Sequence, residues 1–320
     1  MVRFDFFHRG LLTFFLLILA MSVLLTGCFS PPEPVDTVPS TVTETLPPPT
    51  TTEPVVTGWV ENDGLRFYYG ENGETVTGWQ EVDGLTYYFK PTGAMATGEV
   101  DIDGAKFHFT SQGQRVILVN PWNFIPTGYE PELVELRDPY GVEGSLADQS
   151  CVEDLKAMID ACNRECPEAI VVSSYRTQSH QEKNFARKVK YYLDLGYSQE
   201  AAEKEAATII AVPGTSEHQL GLAFDIIDTR LWALEEEQED LPAQKWLMEH
   251  CWEYGFILRY PKDKIEITGI IYEPWHYRYV GKELAAELYE LNLTMEEYFD
   301  MLTEDKSLTA SNPKNGNTAS

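Results

Sequence analysis

The 320-residue sequence has little positive charge, few cysteines and few histidines. It contains 24 Lys and Arg against 51 Asp and Glu, which gives a formal net charge of −27. Nucleic acids and anionic membrane surfaces bind basic proteins, so this balance excludes both as partners attracted by overall charge. Histidine occurs only six times, at positions 8, 108, 180, 218, 250 and 276. Two of the six lie in short segments that also contain carboxylates, and these segments are candidates for a functional site.

Long apolar runs are also scarce, and the one that stands out lies near the N-terminus. Leu11–Leu25 follows two arginines and ends just before Cys28. This arrangement predicts a secretory signal peptide over residues 1–27 rather than a core helix. The ending Leu25-Thr26-Gly27-Cys28 resembles a bacterial lipoprotein box, which implies that Cys28 carries a lipid anchor in the membrane. The alternative is an uncleaved anchor, because the run is marginal for spanning a bilayer. Both interpretations place the rest of the chain outside the cytoplasm.

Four further cysteines follow Cys28. An extracytoplasmic location permits them to form disulfides, and four cysteines allow three pairings. The sequence does not choose among these pairings, and buried free thiols are the alternative. The four are Cys151, Cys162, Cys166 and Cys251.

Residues 28–56 are rich in proline and threonine and show no hydrophobic period. Such a composition does not bury enough apolar surface to fold, and it favours extended conformations. We therefore interpret this segment as a linker.

A repeat with a period of twenty residues occupies residues 57–116. Each unit contains Asp-Gly followed by a cluster of aromatic residues, with the Asp at positions 63, 83 and 103. Asp-Gly between short aromatic strands is a hairpin signal, and a fixed period is typical of units that bury one another's faces. The pattern predicts three short β-hairpins that stack as a small solenoid.

These repeats resemble the choline-binding and glucan-binding repeats of Gram-positive surface proteins. There, aromatic side chains of adjacent units surround a quaternary ammonium group or stack on sugar. The resemblance implies a cell-wall glycan or a choline-bearing polymer as partner, with Trp59, Tyr68, Trp79 and Tyr88 as candidate contacts. The alternative is that these aromatics only hold a small spacer together.

The repeats also depart from the pattern that they resemble. A choline-binding repeat often has a second tryptophan where this sequence has Arg66, Thr86 and Lys106. Glu99 replaces the tryptophan of the third Gly-Trp pair. These replacements argue against a complete aromatic cage for a cation.

Two segments in the C-terminal half supply two imidazoles and two carboxylates. The first contains His218 and Asp225, and the second contains Glu273 and His276. A catalytic zinc site uses three such ligands and keeps a fourth position open for water, with one further carboxylate as the base. We expect His218, Asp225 and His276 to bind Zn²⁺. Glu273, three residues before a ligand, is then the best candidate for the general base.

Three ordered motifs resemble those of VanY-type D-alanyl-D-alanine carboxypeptidases, which belong with the lysostaphin and hedgehog-like zinc peptidases. They are Ser216-x-His218-x-x-Gly221-x-Ala223-x-Asp225, Glu273-Pro274-Trp275-His276-Tyr277-Arg278-Tyr279 and Ser174-Tyr175-Arg176-Thr177. The resemblance implies the same zinc ligands and the same base, with Arg176 stabilising the oxyanion or holding the substrate. It also implies that Gln181 and Ser216 lie near the substrate. Thr177 departs from the serine that the family often has.

The fold expected for this half is α+β. Apolar residues at helical spacing over 152–162 precede an apolar strand at Ala169–Ser173, and Leu222–Ile227 has the composition of a buried strand. We expect helices packed on a small mixed or antiparallel sheet, preceded by the hairpin solenoid. The peptidase domain is predicted over residues 117–300 and a disordered tail over 301–320.

The resulting hypothesis is a zinc carboxypeptidase that removes the terminal D-Ala from peptidoglycan stem peptides. An enzyme of the same fold could instead act as an L,D- or D,D-dipeptidase or as an endopeptidase. A third alternative is a wall-binding protein that has lost activity. Glu273 argues against the third, because a zinc site used only for binding has no need of a base.

Overall fold

The computed structural model describes residues 55–166 and 168–310. The predicted signal peptide, Cys28, nearly all of the linker and the last ten residues of the predicted tail lie outside these ranges. Among the helices in the described part of the chain, none is both long enough and apolar enough to cross a membrane.

The predicted repeats form three antiparallel hairpins. The first turn has the left-handed backbone at both central residues, with φ 50° at Asp63 and 73° at Gly64, as a two-residue type I′ turn requires. The same turn recurs in the next two repeats. Arg115–Val116 (β7) extends the third hairpin to three strands. The hairpin strands are Gly58–Asn62 (β1), Leu65–Tyr69 (β2), Gly78–Val82 (β3), Leu85–Phe89 (β4), Gly98–Ile102 (β5) and Ala105–Phe109 (β6).

The C-terminal domain contains a small antiparallel sheet with helices packed against it, so the predicted α+β class is confirmed. Its four strands are Ala169–Ser173 (β10), Ala223–Asp228 (β11), Phe256–Leu258 (β12) and His276–Tyr279 (β13). They are ordered β10-β11-β13-β12, and β11 is buried along its whole length. Leu133–Glu135 (β8) pairs with Leu146–Asp148 (β9) in a separate hairpin.

The main core lies between this sheet and the helix predicted from the apolar spacing. Leu155, Met158 and Ile159 on that helix are fully buried and pack with Phe224 and Ile226 of β11. The helices are Val152–Glu165 (α1), Gln178–Asp194 (α2), Gln199–Ala207 (α3), Pro242–His250 (α4), Ile265–Thr268 (α5), Lys282–Leu291 (α6) and Met295–Ala310 (α7). The four cysteines of this domain are free thiols, and three of them are buried.

The last helix, α7, passes through the boundary predicted between residues 300 and 301 and continues to Ala310. Contacts with the third hairpin hold the helix as far as Thr303. The Thr303 hydroxyl accepts a hydrogen bond from the Glu99 backbone N–H at 3.0 Å, and the Tyr298 hydroxyl accepts one from the Ser111 backbone N–H at 3.0 Å. The polar sequence beyond residue 300 does not reveal this partner, which lies about two hundred residues earlier in the chain.

Candidate active site

The sheet register brings the three predicted motifs, or residues next to them, side by side. Asp225 on β11 lies opposite Ser173 on β10 and opposite His276 on β13. An irregularity between Val171 and Ser173 shifts the β10 register, as a β-bulge does. Side chains that are distant in sequence therefore meet in one row across the middle of the sheet.

His218 reaches this row from a short 3-10 helix, Glu217–Leu220, which ends at Gly221 with φ 73°. The segment after β10 holds this helix by two hydrogen bonds. The Arg176 backbone N–H donates to the His218 carbonyl at 3.1 Å. The His218 Nδ1–H donates to the Ser174 carbonyl at 2.9 Å. With Nδ1 engaged in this way, Nε2 is the nitrogen left for a metal.

The three predicted ligands converge on one point. Asp225 Oδ1 lies 3.3 Å from His218 Nε2 and 3.2 Å from His276 Nδ1. One ligand atom from each residue lies within 4.8 Å of the others, and all three side chains are buried. Two imidazoles and one carboxylate are the donor set of a catalytic zinc site, so the residues fit that metal.

The charges around the ligands leave an excess of carboxylate at the site. Burial, and then the positive charge of Arg176, lower the pKa of His218 to about 4, so this imidazole is neutral at physiological pH. Burial alone would raise the pKa of Asp225, but the imidazoles and Arg176 hold it well below its usual range. For His276, burial lowers the pKa, but the Asp225 and Glu217 carboxylates outweigh this and raise it to about 9. Such an excess of carboxylate attracts a cation.

Glu273 lies beside the ligands without joining the triad. Its Oε2 is 3.6 Å from His276 Nδ1, and the residue is 9% exposed, at the wall of a cavity. Burial raises the pKa of its carboxyl to about 8. A metal cation close by would lower it again, so this group is suited to taking and returning a proton near neutral pH.

The cavity beside the ligands has a volume of about 170 Å³. Two of the predicted substrate-binding residues, Arg176 and Ser216, line it. The Arg176 guanidinium is held by Asp225 Oδ2 at 2.8 Å and by Ser173 Oγ at 2.6 Å. Gln181 does not line the cavity. It is fully buried and donates to the Ala211 carbonyl at 2.7 Å, so it fixes a loop that forms the cavity wall.

Four charged residues behind the site were not predicted to act there. Glu217 Oε1 accepts hydrogen bonds from Arg259 Nε and from Arg278 Nη1, both at 2.8 Å. Arg259 is paired in turn with Glu296 on α7. All four side chains are buried. The one sequence signal was Arg278, an arginine two residues after a ligand on a strand whose other residues are aromatic.

The candidate aromatics of the repeats form two clusters. Trp59 contacts Tyr68 and Tyr87, and the Arg66 guanidinium lies over its ring at 4.5 Å. Trp79 contacts Tyr88, Phe107 and Phe109 and is 40% exposed. Thr86, at the position equivalent to Arg66, is too short to cover Trp79 in the same way.

Comparison with known proteins agrees with this geometry. The profile of the VanY family, described as D-alanyl-D-alanine carboxypeptidase, matches residues 144–282, and a choline-binding repeat profile matches residues 76–117. A D-alanyl-D-alanine carboxypeptidase of Enterococcus faecalis is 43% identical over 185 residues, which cover 58% of this chain and 65% of that protein. A solved structure of VanYB with D-alanine-D-alanine is also 43% identical, covering 57% of this chain and 96% of that one with a TM-score of 0.52.

The chain belongs to the VanY family. A second VanY structure, of a mutant D,D-pentapeptidase in complex with Zn(II), is 43% identical and has a TM-score of 0.51, with 57% of this chain and 97% of that one covered. The structure of an LD-carboxypeptidase, LdcB, is 34% identical, covers 64% of this chain and 94% of that one, and has a TM-score of 0.52. The chain therefore spans nearly all of these VanY-like structures but just under two thirds of the curated relative. The family predicted from the three motifs is confirmed.

Proposed function

We propose that this protein is a zinc-dependent D-alanyl-D-alanine carboxypeptidase that removes the terminal D-Ala from peptidoglycan stem peptides. The observation that carries the proposal is the arrangement around Asp225. Two imidazole nitrogens and one carboxylate oxygen converge there, and a second carboxylate, Glu273, lies beside them at the wall of a cavity. This is one ligand set and one base, as metal-assisted hydrolysis of an amide requires.

The residues have distinct roles in this reaction. His218, Asp225 and His276 would hold zinc, which would serve as a Lewis acid for the scissile carbonyl and would acidify water. The Glu273 carboxylate removes a proton from the attacking water and returns it to the nitrogen of the leaving D-Ala. Arg176 presents a fixed cation at the cavity wall, suited to the substrate carboxylate or to the developing oxyanion. Ser216 lines the same cavity and offers a hydroxyl to the substrate.

The size of the cavity favours removal of a small terminal residue. A volume of about 170 Å³, with Tyr260, Ile270 and Trp275 among its lining residues, is suited to a small terminal residue such as alanine. The overall charge of −27 does not attract a substrate that ends in a carboxylate. Recognition must therefore come from local cations, and Arg176 lies at the cavity wall.

Incubation of the purified protein with UDP-muramyl pentapeptide, followed by mass spectrometry, tests the proposal. The expected product is the tetrapeptide with loss of one D-Ala, and a chelator should abolish its formation. Cleavage of free D-Ala-D-Ala with the pentapeptide left intact would indicate a D,D-dipeptidase, and cleavage of a tetrapeptide substrate would indicate an L,D-carboxypeptidase. Absence of any cleavage by zinc-loaded protein would favour the inactive wall-binding alternative.

The repeats and Cys28 suggest where the enzyme acts. We propose that the repeats bind a choline-bearing polymer or glycan of a Gram-positive cell wall, and that Cys28 anchors the chain by lipid outside the cytoplasm. The supporting observations are the exposed aromatic cluster around Trp79 and the lipoprotein-like sequence before Cys28. A Cys28→Ser variant should lose lipidation and appear in the medium. If it remained in the membrane fraction, an uncleaved helix would hold the protein there.

A further inference from the structure

The two histidine ligands are held in different ways. His218 has its Nδ1 fixed by the Ser174 carbonyl, so it offers Nε2 to the metal. His276 is turned the other way, because its Nδ1 lies 3.2 Å from Asp225 Oδ1 at the ligand cluster. Its Nε2 therefore points away from the metal, into the protein. Within the described residues, this Nε2 is a fully buried nitrogen without a hydrogen-bond partner.

A buried carboxylate oxygen faces that nitrogen. Glu217 Oε2 lies 3.5 Å from His276 Nε2, and it too has no hydrogen-bond partner in the described part of the chain. An N–H donor and a carboxylate oxygen that are both buried and unpaired carry a desolvation penalty, which one hydrogen bond between them removes. The distance between His276 Nε2 and Glu217 Oε2 is only slightly longer than a hydrogen bond between nitrogen and oxygen.

The rest of Glu217 is fixed rigidly enough to serve as a support. Its other oxygen, Oε1, accepts from both Arg259 and Arg278. Arg259 is held on its far side by Glu296, and Arg278 also donates to the Ile117 carbonyl at 2.9 Å. These contacts neutralise the buried carboxylate and leave Oε2 directed at His276.

From this geometry we infer that Glu217 is a positioning residue for the zinc site. It accepts the His276 Nε2–H, fixes the tautomer and the ring orientation, and thereby presents Nδ1 to the metal. Carboxylates that support a ligating histidine in this way also increase its basicity, and their loss costs about 10–100-fold in metal affinity. The inference rests on the proposed zinc-dependent function, since it concerns how the same site holds its ion.

The first test compares two glutamate variants by their zinc affinity. Glu217→Gln keeps the shape of the side chain but has one acceptor oxygen for three donors, so either His276 or an arginine loses its partner. Glu297→Gln makes the same chemical change on α7, where Glu297 pairs with Lys264 at 2.6 Å rather than with the arginines that hold Glu217. Competition with a chromophoric chelator should show a zinc Kd raised about 10–100-fold in Glu217→Gln and unchanged in Glu297→Gln. The cobalt-substituted proteins should show an altered visible spectrum only for Glu217→Gln.

A second measurement uses the unmodified protein, so that it does not depend on whether a variant folds. With only six histidines in the chain, selective ¹⁵N labelling of histidine gives few signals. In the zinc-loaded full chain, long-range ¹H–¹⁵N correlation should place the proton of His276 on Nε2 and that of His218 on Nδ1. A His276 that carries its proton on Nδ1 would overturn the inference.

The outcomes separate this inference from the proposed function. If the wild-type protein bound no zinc, the proposed function would fail. If the wild type bound zinc and cleaved the pentapeptide while Glu217→Gln held zinc equally tightly, only the role of Glu217 would be wrong.

Discussion

Individual side chains with different tasks share one small buried volume at the site. Glu273 is the carboxylate whose pKa burial raises, whereas the buried carboxylate of Glu217 is neutralised by two arginines. Burial alone does not make a carboxylate a base. The neighbouring charges determine whether a buried carboxylate exchanges protons. A carboxylate paired with guanidinium groups is held in its charged form, and one without them is free to exchange a proton.

The role of Glu273 leads to a prediction about Glu273→Gln. The substitution removes the proton acceptor but preserves size, and because Glu273 is outside the ligand triad, zinc should stay bound. Turnover of a D-Ala-D-Ala substrate should fall about 10²–10⁴-fold, the usual contribution of a general base. Steady-state kinetics and metal analysis on the same preparation check both parts.

A matched control is Glu266→Gln on the short helix α5, where the side chain is exposed. It makes the same chemical change away from the active-site cavity and should leave turnover and zinc content as they are in the wild type. If Glu273→Gln turned over at the wild-type rate, or lost zinc in parallel with activity, Glu273 would not be the base.

The residues proposed to hold zinc and to act as the base could be located from the sequence, whereas those that support them could not. His218, Asp225, His276 and Glu273 belong to short motifs in which spacing and residue type carry the information. The role of Glu217 depends on arginines 42 and 61 residues later, which meet it only when β12 and β13 pair. Gln181 was expected near the substrate because of its place after Arg176, but its contact with the Ala211 carbonyl depends on how the following loop folds back.

The three hairpins share one backbone but present different surfaces. The Asp-Gly turns and the twenty-residue period were sufficient to predict the hairpins, because that local sequence determines the turn type. The side chains that lie across the hairpin faces differ. Arg66 places its guanidinium over Trp59, and its Nη1 also donates to Gln112 at 2.9 Å. The first repeat therefore already holds a cation where a ligand cation would bind.

This difference predicts that only the second cluster of aromatics responds to choline. Trp79→Ala should abolish the change in tryptophan fluorescence that choline causes, because Trp79 is exposed and lies against Tyr88. Trp59→Ala should leave the choline response in place, because the Arg66 guanidinium already covers the Trp59 ring. A cation over an aromatic face contributes about 0.5–2 kcal/mol, which is enough for titration to resolve the two variants.

The two variants act as controls for each other, since each removes one tryptophan from an equivalent hairpin position. Loss of the choline response in Trp59→Ala with retention in Trp79→Ala would contradict the assignment. If neither variant changed the response, the binding surface would lie outside these clusters.

Across the molecule, the third hairpin and the C-terminal domain are joined along α7. Besides the contacts of Thr303 and Tyr298, the Ser111 hydroxyl donates to Glu287 on α6 at 2.8 Å. His108 of the hairpin is 5% exposed and its ring lies 5.0 Å from that of Phe299. The third repeat is therefore fixed in orientation relative to the active site. This docking could not be predicted, because no periodic pattern links residues so far apart in the chain.

The buried histidine at this junction gives a pH-dependent prediction. Burial lowers the pKa of His108, and Lys106 lowers it further, whereas Glu99 and, more weakly, Glu296 oppose the shift. The net direction is downward, so below its unfolded pKa of about 6.5 the unfolded chain binds the proton more readily than the folded one. The free energy of unfolding should therefore fall as the pH drops through this range, and the stabilising contribution of neutral His108 should be complete above it.

His108→Gln removes the titrating group and should flatten that part of the pH dependence. Thermal unfolding at about pH 7.5 and about pH 5.5, on either side of the unfolded pKa, measures the loss of Tm on acidification, which should be smaller in the variant than in the wild type. Other carboxylates and histidines titrate in both proteins, so the difference between the two losses isolates position 108. His250→Gln is a suitable comparison, because His250 is partly exposed on α4 and bonds the nearby Glu253. An equal loss of Tm in wild type and His108→Gln would mean that the junction tolerates a charged imidazole. The destabilisation by acid would then arise from other residues.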